Sequence, residues 1–180
     1  MALRLEDITN RIVASSATII ALVAMGTAVY QSKLMRDQAK ASVWPYLLVG
    51  NSDNDGFERI VQNVGLGPAV IKAFEVRVHG HPVHTWREAA ESLGVRLTGR
   101  GMKSTTFGRG IVAPVNSLVE LVQFSDSGDA QAFRAHRDDI TTWVCYCSLY
   151  GDCWTTGANG VEPPEPVTEC VEDPKTAFRR

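Results

Sequence analysis

Three groups of residues in this chain are of a type and spacing that could do chemistry. His79, His81 and His84 lie close together in His-Gly-His-Pro-Val-His. Imidazoles so placed could hold zinc or copper, and a His-x-His pair shares one face of a strand. Gly80 and Pro82, however, make the stretch a hairpin turn, where polar side chains meet water. No acidic or cysteine ligand stands nearby in sequence, so no metal is assigned. Asp138 and Asp139 follow His136 and resemble acid–base parts. Neighbouring carboxylates at a helix end point apart, and no Gly-x-Ser-x-Gly supplies a nucleophile. The expectation is no catalytic residue, no cofactor and no enzymatic activity.

The third group is Cys145, Cys147, Cys153 and Cys170. Cys145 and Cys147 are two apart, on one face of a strand. If Gly151-Asp152 is a two-residue hairpin loop, Cys153 lies opposite Tyr150 and on the other face. Neither Cys145 nor Cys147 could then bridge to it without distorting the hairpin. Cys170 becomes the natural partner of one of them. An even set of this kind favours an oxidising compartment. The alternatives are small buried hydrophobes, or a four-cysteine zinc site that Cys-x-Cys spacing fits poorly. Thr98-Gly99-Arg100-Gly101-Met102-Lys103-Ser104 resembles a phosphate-binding loop but lacks glycines at the required places. Arg96, Arg100, Lys103 and Arg109 make that region the most basic of the chain, and it reads as a solvated loop rather than a lipid-headgroup site.

The elements that carry these residues begin with the run from Ile12 to Ser32, uncharged throughout and held between Arg11 and Lys33. As a helix it covers ~31 Å, about the hydrocarbon thickness of a bilayer. A cleaved signal peptide, cut near Ala24-Met25-Gly26, is the rival reading. Glu6 and Asp7 do not suit a basic leader, and the helical pattern continues past Gly26, so an uncleaved anchor is expected. Ala14, Ala17, Ala21, Ala24 and Ala28 recur at alternating steps of three and four. That stripe suits close packing on a second helix, by self-association or with a partner.

The spacing predicts three regions: anchor and juxtamembrane helix over 1–42, a β domain over 43–160, and a proline-rich acidic tail over 161–180. Pro45 stops the helix. Strands are expected at Val43–Val49, Phe57–Asn63, Ala69–Val78, Ile111–Val115, Ser117–Phe124, Ile140–Tyr150 and Cys153–Thr156. Short helices are expected at Thr85–Leu93 and Ala130–Arg137, and Pro163, Pro164, Pro166 and Pro174 predict an extended or loose tail. Short strands at such spacing, with only two brief helices, point to an antiparallel β-sandwich. A net charge of −2, from 18 basic and 20 acidic side chains, argues against nucleic acid as a partner.

Val61-Gln62-Asn63-Val64-Gly65-Leu66-Gly67-Pro68-Ala69, followed by Val76-Arg77-Val78-His79-Gly80, resembles a pattern of bacterial immunoglobulin-like domains of the CARDB type. A similar Asn-x-Gly-x-Gly-Pro-Ala occurs in membrane-anchored bacterial proteins of unknown function. The resemblance implies an immunoglobulin-like sandwich in which Asn63, Gly65, Gly67 and Pro68 form a structural turn. Asn63 would bond its own turn, the glycines would supply backbone angles closed to other residues, and Pro68 would fix φ. The functional expectation is a single-pass interaction module of the bacterial inner membrane, in contact with the lipid bilayer and a protein partner. Basic residues tie across the span, and the cysteines tip the domain toward the periplasm. The alternatives are a metal- or redox-dependent envelope enzyme using His79, His81 and His84 or Cys145, Cys147 and Cys153, and a toxin, effector or phage-defence component.

Overall fold

The computed structural model describes residues 2–54, 56–98, 101–157 and 163–179, with side chains from residue 9 onward. The chain forms two compact units, Met1–Ala41 and Ser42–Arg180. The first is one helix, α1 (Ala2–Ser42). Its stretch from Thr9 to Ser42 is long and apolar enough to cross a membrane, with a mean hydropathy of 2.1 in its best window and none of that window buried. The hydroxyls that dilute its apolar run are turned inward. Ser15, Ser16, Thr18 and Thr27 donate to the carbonyls of Ile12, Val13, Ala14 and Ala24. Bonded back to their own turn, they need no partner from the surroundings. The five alanines of the stripe are all exposed.

The second unit is built of two antiparallel sheets around one core. The first sheet takes β1 (Leu47–Ser52), β2 (Phe57–Asn63), β7 (Leu118–Phe124) and β5 (Met102–Ser104), in that spatial order. The second runs β10 (Glu165–Val167), β9 (Cys153–Thr156), β8 (Ile140–Cys147), β3 (Ala69–Val78) and β4 (His81–Val83), with β6 (Val112–Ala113) on β3. Two short helices, α2 (Trp86–Ser92) and α3 (Ser127–Ala135), complete the unit. Alternation gives the sheets their inner faces: Leu47 and Val49, Phe57 and Val61, Val76 and Val78, and Val144 and Tyr146 are all buried. Phe133 of α3 stacks on Phe124 at 4.0 Å between ring centroids, which closes one end of the core.

Two strands lie where turn and loop were expected. His81–Val83 pairs with Val76–Val78, so Gly80 turns a short hairpin whose second strand holds Pro82. Pro82 is tolerated because β4 is an edge strand. Met102–Ser104, in the basic stretch, pairs with β7. The tail is not loose. Glu165–Val167 adds a strand to β9, and Phe178 is buried against Phe74 and Trp86. The Phe178 N–H donates to the Phe74 carbonyl at 3.0 Å, in the gap that β6 and β4 leave along the edge of β3. Buried apolar area is lost if this segment frays, so the prolines set its path without freeing it.

Candidate functional site

The side chains of β8 divide into two faces. Val144 and Tyr146 point into the core, while Thr141, Trp143, Cys145 and Cys147 face outward, beside Glu75 and Arg77 of β3 and Cys153 of β9. The chain from Cys170 to Phe178 straps this outer face. Cys145 bridges to Cys170, with 5.7 Å between Cα atoms. The Thr176 hydroxyl donates to the Glu75 carboxylate. Cys145 is 1% exposed.

The second bridge, Cys147–Cys153, overturns the expected hairpin. The connection is not a two-residue turn at Gly151-Asp152 but a wider loop from Ser148 to Asp152. It is closed by the Ser148 N–H on the Asp152 carbonyl at 2.8 Å and the Gly151 N–H on Ser148 at 3.1 Å. That loop sets Cys153 opposite Cys147 instead of opposite Tyr150. Ser148 and Asp152 are the hydrogen-bonded pair, so Cys147 and Cys153 form the narrow, non-hydrogen-bonded kind, with Cα atoms 4.0 Å apart. Both then point to one face, where their sulfurs meet. Among the described residues, the one group with metal-ligand proximity is Cys147, Cys153 and Cys170, and disulfides occupy all three sulfurs.

Beside the strap lies a groove of about 470 Å³, lined by Glu75, Arg77, Thr141, Thr142 and Trp143. The Arg77 guanidinium donates to Glu75 at 2.9 Å, so one wall carries a paired charge and the other an indole. Gly157 leaves room for that indole, since a Cβ there would stand 3.3 Å from Trp143 Cδ1. The groove can take a flat or apolar group against Trp143 and a charged or hydrogen-bonding group on the Glu75–Arg77 pair.

The three sequence histidines are not brought together. His84 Nδ1 meets the Ala177 carbonyl at 3.1 Å, and its N–H donates to Glu88 at 2.6 Å, so it holds the strap and the start of α2. His81 is exposed on β4. His79, with φ of 50°, instead meets Asp139 at 3.6 Å, and His136 meets the same carboxylate at 2.9 Å. In the basic stretch, Arg96 and Lys103 are exposed, Arg109 reaches Glu172 at 3.6 Å, and Arg100 lies outside the described residues. Thr98 is bound by the Asp129 carboxylate through both its N–H and its hydroxyl.

The turn from Asn63 to Pro68 is an organising point. Asn63 is fully buried; its Oδ1 accepts from Gly65 N at 3.0 Å and Tyr46 N at 3.3 Å. Its Nδ2 donates toward the carbonyls of Gly67, Ala113 and Pro114 at 2.9–3.1 Å. The glycines are needed for a different reason from the one expected. Neither has a positive φ. A Cβ on Gly65 would sit 2.3 Å from Tyr46 N, and one on Gly67 would sit 2.0 Å from the Val43 carbonyl oxygen. Close approach of the incoming chain excludes a side chain, not the backbone angle.

Sequence reasoning passed over Arg59, which is 1% exposed. From β2 it crosses the core, donating to Thr142 Oγ1 at 2.9 Å, Asn51 Oδ1 at 3.0 Å and the Ile140 carbonyl at 3.0 Å. Burial pushes its guanidinium down to about 10, and Asp138 opposes part of that shift. The signal was present as a break in pattern, a basic residue at an inward position of an alternating strand. Compared with protein-family models, curated proteins and solved structures, the chain matches none.

Proposed function

We propose that this chain is a single-pass, membrane-anchored interaction module of the bacterial inner membrane, whose β unit binds a protein partner in the groove beside Trp143. The observation that carries the reading is that groove: a half-buried indole facing an ion pair on a sheet face, braced by two disulfides and a strap. Such a surface is stiff, and stiffness lowers the entropy lost on binding. The unit is read as immunoglobulin-like, with α1 as an uncleaved span and the disulfides supporting a periplasmic location. A photo-reactive residue at Thr141 in the full chain tests it. One cross-linked species of constant mass, lost in Arg77→Glu, is the expected result. No adduct in living cells, or adducts indifferent to Arg77→Glu, would remove the groove as a partner site.

A second reading, thiol–disulfide chemistry, has one observation in its favour: Cys147 Sγ lies 4.0 Å from Cys170 Sγ, across the two bridges. Exchange would begin when an external dithiol reduces Cys147–Cys153 and is itself oxidised. The Cys147 thiolate then attacks Cys170, and Cys145 leaves as thiolate. Non-reducing peptide mapping after partial reduction should reveal a Cys147–Cys170 bridge if this is so.

A further inference from the structure

The strand registers bring four segments of the second unit to one end. Leu47 opposes Asn63, Gln62 opposes Leu118, Ala69 opposes Ala113 and Cys147 opposes Cys153. The segments 43–46, 64–68, 110–118 and 148–152 therefore form a common surface. They are cross-tied by Val64 N–H on the Tyr46 carbonyl, Leu66 N–H on the Trp44 carbonyl, and Asn63.

This end is apolar to an unusual degree. Among the described residues outside α1, the exposed large apolar side chains gather here, including Trp44, Val64, Leu66 (67% exposed), Val115, Leu149 (64%) and Tyr150; Val171 alone lies elsewhere. Across residues 43–46, 64–68, 110–118 and 148–152 the one acidic, basic or histidine side chain is Asp152. A contiguous apolar surface of this kind marks a contact, since water would otherwise disfavour it. The chain enters the unit at this same end, through Val43, directly after α1.

We propose that this end docks on the bilayer surface, with Trp44, Leu66, Leu149 and Tyr150 inserted among the lipid headgroups. The proposal rests on the anchor reading given above. Chain length bounds the gap to be closed: Ser42 is ten helical steps beyond Ser32, at most ~15 Å. Lys33 and Arg36 can snorkel and draw the hydrocarbon boundary further along α1. Each headgroup layer is roughly 5–8 Å thick, so docking requires that this snorkelling, together with tilt of α1, take up the remaining ~7–10 Å. Tryptophan and tyrosine are the residues that the interface selects, and uncharged loops enter it at least cost. A soluble partner of mixed polarity would instead be met by polar side chains around the apolar ones.

The test uses the full chain in vesicles of lipid brominated high on the acyl chain, with unbrominated vesicles as reference. α1 contains no tryptophan, so quenching reports on the second unit alone. Expected is at least a twofold loss of the Trp44 contribution to emission, defined by difference with Trp44→Phe. Leu66→Asp with Leu149→Asp should restore most of that emission while circular dichroism and both disulfides stay unchanged. Equal emission in the two lipids, from protein that resists alkaline carbonate extraction, would overturn the docking and leave the anchor standing. Extraction by carbonate would overturn the anchor, and the docking with it. A photo-reactive residue at Leu149 should yield lipid adducts; adducts with a second copy instead would assign this end to a dimer and sink the proposal.

Discussion

Two buried polar residues decide how the sheets are held, and each makes a distinct prediction. Asn63 ties together backbone groups from the segments at 46, 65, 67, 113 and 114. Asn63→Ala leaves several of them unpaired in the interior, at ~1–3 kcal/mol each before relaxation, and about 3 kcal/mol is expected from urea midpoints. Arg59→Ala should cost a similar ~3 kcal/mol, because it opens a cavity and strands Thr142 and Asn51. Arg59→Met, which fills the volume without a buried charge, should cost clearly less. If both variants lose the same stability, the guanidinium bonds and not the packing are what matter. Tyr146 provides a pH test. Burial raises its phenol to about 12 from 10.0, while the bond to Leu47 N–H acts against the shift. The folded protein keeps that proton between pH 10 and 12 while the unfolded chain loses it. Stability from this group is therefore full below pH 10 and falls as pH rises to 12. Arg59 has the opposite sign, since the unfolded chain binds the extra proton above about pH 10. Tyr146→Phe should consequently flatten the alkaline decline of stability between pH 10 and 12, read from urea midpoints.

At the scale of elements, the strap and the incoming segment are held by contacts that short sequence windows do not reveal. Cys145–Cys170 spans a separation of 25 and Cys147–Cys153 a separation of 6. Chain-entropy arguments assign ~3 kcal/mol to a loop like the first and about 2 kcal/mol to one like the second. Replacing Cys145 and Cys170 by Ser should therefore lower thermal stability more than replacing Cys147 and Cys153. It should also expose the strap to protease near Glu172. The reverse order would mean that the strap is held mainly by Phe178 and not by sulfur. Gly67→Ala should be as damaging as a core truncation, because the Val43 carbonyl must retreat to admit the methyl. Gly80→Ala meets no neighbour and pays only for its φ of +81°, roughly 1 kcal/mol.

For the whole molecule, the open quantities are side and association. Under the proposed topology, alkaline phosphatase fused after Arg180 is active and green fluorescent protein at the same position is dark. The inverse pattern would place the unit in the cytoplasm and remove the compartment argument for the disulfides. Ala14, Ala17, Ala21, Ala24 and Ala28 are exposed on α1, free to meet a second helix. Replacing Ala17 and Ala21 by Leu should cut self-association several-fold in a membrane two-hybrid assay, since bulk at both positions keeps backbones apart.

What could be read from residues alone was whatever depends on neighbours along the chain. The uncharged run from Ile12 to Ser32 has a helix's length for a bilayer whatever follows it. The strands Phe57–Asn63 and Ala69–Val78 occur where alternation put them, and α2 stops at Ser92, just short of Gly94 with its φ of +71°. The bridge from Cys145 to Cys170 agrees with the expectation of a partner in the tail. Tertiary structure decided the rest. Cys153 faces Cys147 because the loop from Ser148 to Asp152 is wider than a two-residue turn, a choice made by hydrogen bonds between strands. His84 serves the strap and not a metal because Ala177, distant in sequence, brings its carbonyl to the ring. Gly65 and Gly67 are glycines because Val43 to Tyr46 press upon them. Arg59 is tolerated in the core because Asn51, Thr142 and Ile140 converge on it from other strands. Local preference fixes where an element begins and ends; which side chains meet depends on packing between segments that the sequence keeps far apart.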